Sequence, residues 1–272
     1  DLGGILDDVL VYRWDDAYAL VVNASNRPNI VNWIGQHIEG FNVAFADRTT
    51  ELAMIAIQGP KALEWTQPYF EPILADLKYY TGIRTTLDGE EAYVTRTGYT
   101  GEDGCEVLAS GKVVVKLWES LIAEHGDDGL IACGLGSRDT LRLEAAMPLY
   151  GHELDEETDP YTAGLGFGVK LQAGDFIGKE ALVRFKERTD LQKRVGLVLD
   201  GRRIAREGTP IFSGDQQIGE VTSGTQSPTL SQSIAMAYVA PNYATEGTEL
   251  EVDFRGKRMP AKVVPLPFYR RS

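Results

Sequence analysis

Residues 91–108 read EAYVTRTGYTGEDGCEVL. Two β-rich runs, 91–96 and 105–108, flank a loop with glycines at 98, 101 and 104. Glycine permits positive φ and close backbone approach, so the loop could cradle an anion. Its spacing is GxxGxxG, however, and it joins strand to strand. A dinucleotide-binding GxGxxG instead leads from a strand into a helix. Gly164-Leu165-Gly166-Phe167-Gly168 has no helical period behind it either. A doubly wound nucleotide fold is therefore rejected at both places.

Working outward, residues 5–13 and 17–23 are apolar, β-branched runs joined by Trp14-Asp15-Asp16, a hairpin signal. Pro28 opens a helix on which Ile30, Ile34 and Ile38 recur, and Phe41–Phe45 reads as another strand. The run 52–58 (LAMIAIQ) is a buried strand, and Gly59-Pro60 starts a helix. Residues 112–124 carry Val114, Leu117, Trp118, Leu121 and Ile122 on one helical face, with Gly126 as the cap. Further helices run from near Gly136 toward Pro148 and over 178–187. This order fits antiparallel sheets with helices on one face. Beyond residue 190, short strands at 194–199, 210–212, 217–222, 233–239, 248–254 and 260–264 alternate with Gly, Pro and Ser turns. That texture is an all-β barrel or sandwich. The charged stretch Lys186–Lys193 is the expected hinge.

At 272 residues the chain exceeds the usual single core, so two or three compact units are expected. The net charge of −13 would repel a phosphate backbone, so nucleic acid is not an expected partner. No stretch reaches the ~18 apolar residues of a spanning helix, so no membrane partner is expected. Arg255, Lys257, Arg258, Lys262, Arg270 and Arg271 gather near the end. They form either a solvated basic face or a site for a small carboxylate-bearing ligand. Two cysteines, Cys105 and Cys133, and three histidines show no metal-ligand spacing, so no metal is expected. Few cysteines also suit a reducing compartment.

Local chemistry leaves alternatives. Period two along 5–13 turns either Asp7 or Asp8 inward among apolar residues, at a cost unless it is partnered. The simpler reading of the pair is a turn cap plus a solvated acid. Glu106 alternates with Cys105 and Val107. Facing inward, it offers two acceptor oxygens to an N–H pair on a heterocycle; facing outward, it is an ordinary strand glutamate. Arg138, at the start of a helix, could grip a carboxylate bidentately or pair with Asp139 or Glu144.

Taken in order, several stretches resemble the T-protein family of the glycine cleavage system, the folate-dependent aminomethyltransferases. They are Gly3-Gly4-Ile5-Leu6-Asp7-Asp8-Val9-Leu10-Val11-Tyr12, Leu20-Val21-Val22-Asn23-Ala24, Ile57-Gln58-Gly59-Pro60, Thr97–Gly104, GLGSRDTLRLE at 134–144, FIGKEAL at 176–182, Thr222-Ser223-Gly224 with Ser227-Pro228-Thr229-Leu230, and Pro267-Phe268-Tyr269-Arg270. The resemblance implies an α+β, three-domain cloverleaf of antiparallel sheets flanked by helices, with a C-terminal β-barrel or jelly-roll-like domain. Its parts would be 1–47, the remainder of a ferredoxin-like folate-binding domain; 48–188, a second such domain; and 189–272, the barrel. The family carries a further stretch ahead of the Gly-Gly-Ile motif, so an N-terminal segment is expected to be missing here.

The resemblance also implies tetrahydrofolate as co-substrate, the lipoylated H protein as partner, and a cytoplasmic setting (the mitochondrial matrix in a eukaryote). By the same resemblance Asp8 is the catalytic carboxylate and Glu106 holds the pterin. Arg138 and Arg270 bind folate, and Asn23, Tyr79, Tyr99 and Tyr12 line its site. The segment expected to be missing is the main departure from the family, and Phe167, where many members have Trp, is a mild one. The region Asp175–Glu180 lacks the cysteine of the iron–sulfur-assembly branch of the superfold, which counts against that branch. A non-catalytic or differently specific folate binder of the same superfold is the alternative.

Overall fold

A computed structural model describes residues 2–271. They divide into two compact units, one of Val9–Arg138 with Arg271, the other of the residues through Asp8 with Asp139–Arg270.

In the Val9–Arg138 unit, β1 (Leu10–Arg13) and β2 (Tyr18–Val21) form an antiparallel hairpin with Leu10 opposite Val21. Helix α1 (Arg27–His37) follows, with Pro28 in its first turn, where a missing N–H costs nothing. Then come β3 (Leu52–Gln58), α2 (Ala62–Thr66), β4 (Gly82–Leu87), β5 (Glu90–Thr95), β6 (Gly104–Ser110) and α3 (Gly111–His125). The sheet is antiparallel in the order β3-β6-β5-β4. Alternation sends Ala92, Val94, Cys105, Val107 and Ala109 to one face. There they pack with Val113, Val114, Leu117 and Leu121 of α3 in one buried core. Burying each of the larger side chains contributes about 1.5–3 kcal/mol. The same alternation sends Tyr93, Thr95 and Glu106 to the opposite face. Trp14 beside the hairpin meets that face, its ring centroid 5.2 Å from Tyr93 and 5.6 Å from Tyr12.

The second unit holds α4 (Leu135–Glu144), α5 (Lys179–Glu187) and six strands: β7 (Lys193–Leu199), β8 (Pro210–Ser213), β9 (Gln216–Ser227), β10 (Gln232–Val239), β11 (Glu249–Asp253) and β12 (Arg258–Val264). The strands close into a barrel in the order β10-β7-β12-β11-β8-β9, which removes exposed sheet edges. Leu197, Ile211, Val239 and Val252 are fully buried at its centre. Against the outside, Leu143 and Ala146 cluster with Ile234 and Met236.

Arg142 ties α4 down more firmly. It is 1% exposed and donates to Asp139 Oδ1 (2.8 Å), Glu153 Oε2 (2.7 Å), Ser223 Oγ (2.7 Å) and the Met147 carbonyl (3.2 Å). Glu153 is itself fully buried and also accepts from Thr222 Oγ1 (2.6 Å) and the Leu149 N–H (3.0 Å).

Four sequence expectations need correction. Residues 5–9 are not strand: β1 begins at Leu10. The Ile5 N–H donates to the carbonyls of Asp155 and Thr158, both at 3.1 Å. Gly4 lies so close to this loop that a Cβ there would stand 1.8 Å from the Glu156 carbonyl oxygen. The inward-or-outward choice for Asp7 and Asp8 therefore does not follow from strand period. Phe41–Phe45 is not strand either, and Phe41 is 70% exposed. Strand β4 was not anticipated, because its Gly-Ile-Arg-Thr-Thr run has little apolar content. Strand β9 extends to twelve residues where six were expected.

Candidate active site

The face of the β3-β6-β5-β4 sheet opposite α3 carries a chain of buried hydroxyls that ends on a carboxylate. Thr95 on β5 stands directly opposite Glu106 on β6. Thr97, just beyond β5, donates its hydroxyl to Glu106 Oε2. Thr95 Oγ1 lies 2.7 Å from Thr97 Oγ1. The Tyr12 hydroxyl, delivered by β1, lies 3.1 Å from Thr97 Oγ1 and 3.3 Å from Thr95 Oγ1. Glu106 is 4% exposed and Tyr12 7%. Burial, with a smaller push from the charge of Glu106, raises the Tyr12 phenol above its ordinary range, against the lowering effect of its hydrogen bonds to Thr95 and Thr97. Tyr12 therefore stays a protonated donor at neutral pH. Of the two readings of Glu106, the inward one holds.

The glycine loop is fixed beneath this face by Gln58. Its Nε2 donates to the Thr97 carbonyl (3.0 Å) and the Cys105 carbonyl (3.3 Å), and its Oε1 accepts from Thr100 Oγ1 (3.2 Å). A Cβ on Gly98 would fall 1.9 Å from Gln58 Oε1, and one on Gly104 2.3 Å from the Ile57 carbonyl oxygen. The glycines thus serve close packing rather than an anion cradle. Arg96 clamps the loop's far end through a two-point pair with Asp103 (3.1 and 2.7 Å). That guanidinium holds the Asp103 carboxyl below the usual range.

Tyr99, on this loop, lies under the Arg138 guanidinium at 4.8 Å from its ring centroid. The anticipated ion pairs of Arg138 do not form. Asp139 is taken by Arg142, and Glu144 accepts from Ser227 (2.5 Å) and Thr229 (2.8 Å). Arg138 is exposed, and no ion pair engages it among the described residues. Tyr79 packs edge-on against Tyr80 at 4.5 Å, with Arg271 over its ring at 5.5 Å. Asn23 is half-buried in the turn after β2, where its carbonyl accepts from the Asn26 N–H (3.0 Å).

The other unit carries the remaining two sequence-predicted residues. Asp8 is open at its surface, and its N–H donates to Asp7 Oδ1 (2.9 Å). Surrounding chain, and secondarily the charge of Asp7, push its carboxyl above the ordinary range. Arg270 is exposed and donates to the Leu266 carbonyl at 3.4 Å. The basic tail does not act as one patch: Arg258 is engaged with Glu251 (3.5 Å) and the Phe212 ring (4.0 Å). The Cys105 thiol is buried and pushed up to about 12, which removes it as a nucleophile at neutral pH. Sequence reading missed Thr97, Thr95 and Gln58. The Thr-x-Thr spacing before the loop, two hydroxyls on one strand face beside an inward Glu, was the available signal.

Comparison with known proteins agrees along the whole chain. The GCVT N-terminal domain family matches residues 1–173, and the glycine cleavage T-protein C-terminal barrel domain matches residues 192–270. An aminomethyltransferase of Synechococcus elongatus is 47% identical over 279 residues, covering 100% of this chain and 73% of that relative. One from Bacillus cereus is 46% identical over 273 residues, covering 99% and 74%. The crystal structure of the glycine cleavage system aminomethyltransferase T from Bartonella henselae matches with a TM-score of 0.88 at 32% identity, covering 98% of this chain and 73% of that one. This chain belongs to the glycine cleavage T-protein family of aminomethyltransferases.

Proposed function

We propose that this chain transfers the methylene of an aminomethyl group carried on the lipoyl arm of H protein to tetrahydrofolate, with release of ammonia. The observation that carries the folate half of this reading is Glu106. It is a buried carboxylate whose Oε2 is satisfied by Thr97 and whose Oε1 takes no hydrogen bond among the described residues. An acceptor left open beside an oxygen already fixed favours a ligand N–H donor, as the pterin ring of folate supplies. Tyr12 and Tyr99 add ring surface, and Arg138 and Arg270 suit the carboxylates of the folate tail. Asn23 and Tyr79 complete the proposed lining.

In the reaction the C–S and C–N bonds of the aminomethyl group break and its methylene forms bonds to two folate nitrogens, whose two protons leave with the lipoyl thiol and with ammonia. Positive charge develops on the methylene and the attacking nitrogen. Asp8, as a fixed carboxylate, stabilises that charge and orients the nitrogen. The three-part division at 1–47, 48–188 and 189–272 belongs to this same reading. Bacterial relatives and two unpaired cysteines support a cytoplasmic setting.

Glu106→Gln tests the pterin assignment: calorimetry should show tetrahydrofolate binding weakened by about ten- to a hundred-fold. Unchanged affinity would remove Glu106 from the site. Arg270→Ala should raise KM for folates bearing a glutamate tail by several-fold and leave a bare pterin unaffected; equal effects on both would refute the tail contact.

A further inference from the structure

We infer that Thr97 is a positioning residue for folate binding, acting at the inner end of a one-way hydroxyl chain that fixes the Glu106 carboxylate. The inference rests on the reading of Glu106 as the pterin acceptor. Its basis is a count of protons. Three hydroxyls, of Tyr12, Thr95 and Thr97, and one carboxylate make up a cluster in which every member is at most 8% exposed. A carboxylate can only accept, so the Thr97 proton is committed to Glu106 Oε2. With that proton spent, Thr97 Oγ1 can only accept from Thr95 at 2.7 Å and from Tyr12 at 3.1 Å. Tyr12 stays protonated, because burial raises its phenol, so the outermost member remains a donor. Thr95 has a longer alternative acceptor in the Glu106 carbonyl at 3.4 Å and Tyr12 one in Thr95 Oγ1 at 3.3 Å, so in each arrangement the donors point toward Glu106.

The chain has two consequences at the carboxylate. It satisfies one oxygen in a place that water does not reach, so the desolvation cost of a buried Glu is offset without a cation. It also fixes the plane of the carboxylate about its last torsion, which is broad for a free glutamate. Oε1 is then presented in one direction before the ligand arrives. Ordering that would otherwise oppose binding has already been done by the fold. Gln58 holds the Thr97 backbone carbonyl at 3.0 Å, so the residue that holds Glu106 is itself held.

A double-mutant cycle on the 272-residue chain separates this role from mere packing. Tetrahydrofolate affinity is measured by calorimetry for Thr97→Val, Glu106→Gln and the pair, with Thr97→Ala as the smaller substitution and Thr97→Ser as the variant that keeps the hydroxyl. Thr97→Val and Thr97→Ala should each weaken binding about ten-fold. Thr97→Ser should restore wild-type affinity, and Thr97→Val should add little to Glu106→Gln. Thr97 losses that multiply fully with Glu106→Gln would overturn the inference, because the residue would then act independently of the carboxylate. So would a folded serine variant that binds as weakly as the valine one, or wild-type affinity in Thr97→Val or Thr97→Ala beside a weakened Glu106→Gln. Wild-type affinity in Glu106→Gln would instead overturn the pterin reading underneath.

Discussion

Replacing Asp8 with Ala should lower turnover by roughly 10²–10³-fold while tetrahydrofolate still binds with near-normal affinity. The separation follows from the two jobs assigned here: Glu106 meets the ligand in its ground state, whereas Asp8 acts on charge that appears only as the C–S bond breaks. A pH dependence accompanies it. Surrounding chain first, and Asp7 second, raise the Asp8 carboxyl above its ordinary 3.8. A carboxyl raised on folding is harder to ionise in the folded state, so its charge at neutral pH weakens the fold. That penalty is relieved as the pH falls through the raised value toward 3.8. Asp8→Asn should therefore not lower the melting temperature at neutral pH, although it removes turnover. The wild-type rate should decline on acidification through the raised Asp8 value, and the residual rate of Asp8→Asn should lack that limb. A kcat profile against pH for both proteins, with melting curves alongside, checks all three statements. Near-normal turnover in either variant would contradict the role given to Asp8.

The second large effect is on stability. Arg142→Met removes the guanidinium that donates to Glu153 Oε2 at 2.7 Å, and Glu153 is fully buried. Removing one partner of a buried pair leaves the other charge uncompensated, a loss of about 3–5 kcal/mol. For a chain of this size that lowers the melting temperature by on the order of 10 °C. The double variant Arg142→Met with Glu153→Leu should recover part of the loss, since no charge is then stranded. Thermal unfolding followed by circular dichroism distinguishes the cases. A double variant less stable than Arg142→Met alone would mean that Glu153 holds the loop mainly through Thr222 and the Leu149 N–H.

Why some of this could be read in the sequence and some could not is a matter of where the partners lie. The barrel was legible because its strands, β9 apart, are short and alternate, with turn residues such as Gly214 and Gly247 between them. Those signals are local. The sheet face that carries Glu106 was half legible. Period two along Cys105-Glu106-Val107 limits the glutamate to one side of the strand, but whether that side is covered depends on Tyr12 and Trp14, some ninety residues earlier. Thr97 was half legible for the same reason: the Thr-x-Thr spacing is local, but a threonine beside a glycine loop gains its meaning from the β5–β6 register. The misread strand at 5–9 shows the converse. Its alternation is real, yet its backbone hydrogen bonds go to a loop at 155–158 that no local pattern announces. Arg138 and Arg142 lie one helical turn apart, and sequence spacing cannot tell which is buried with Glu153 and which lies over Tyr99.

The most direct test of the central claim is a product balance. The chain is incubated with tetrahydrofolate and H protein loaded with the aminomethyl group, and ammonia and methylene-tetrahydrofolate are both counted. One ammonia for each methylene-tetrahydrofolate, with neither formed when folate is withheld, is the predicted result. Tetrahydrofolate binding with no ammonia released would contradict it and leave a folate-binding protein without transferase activity.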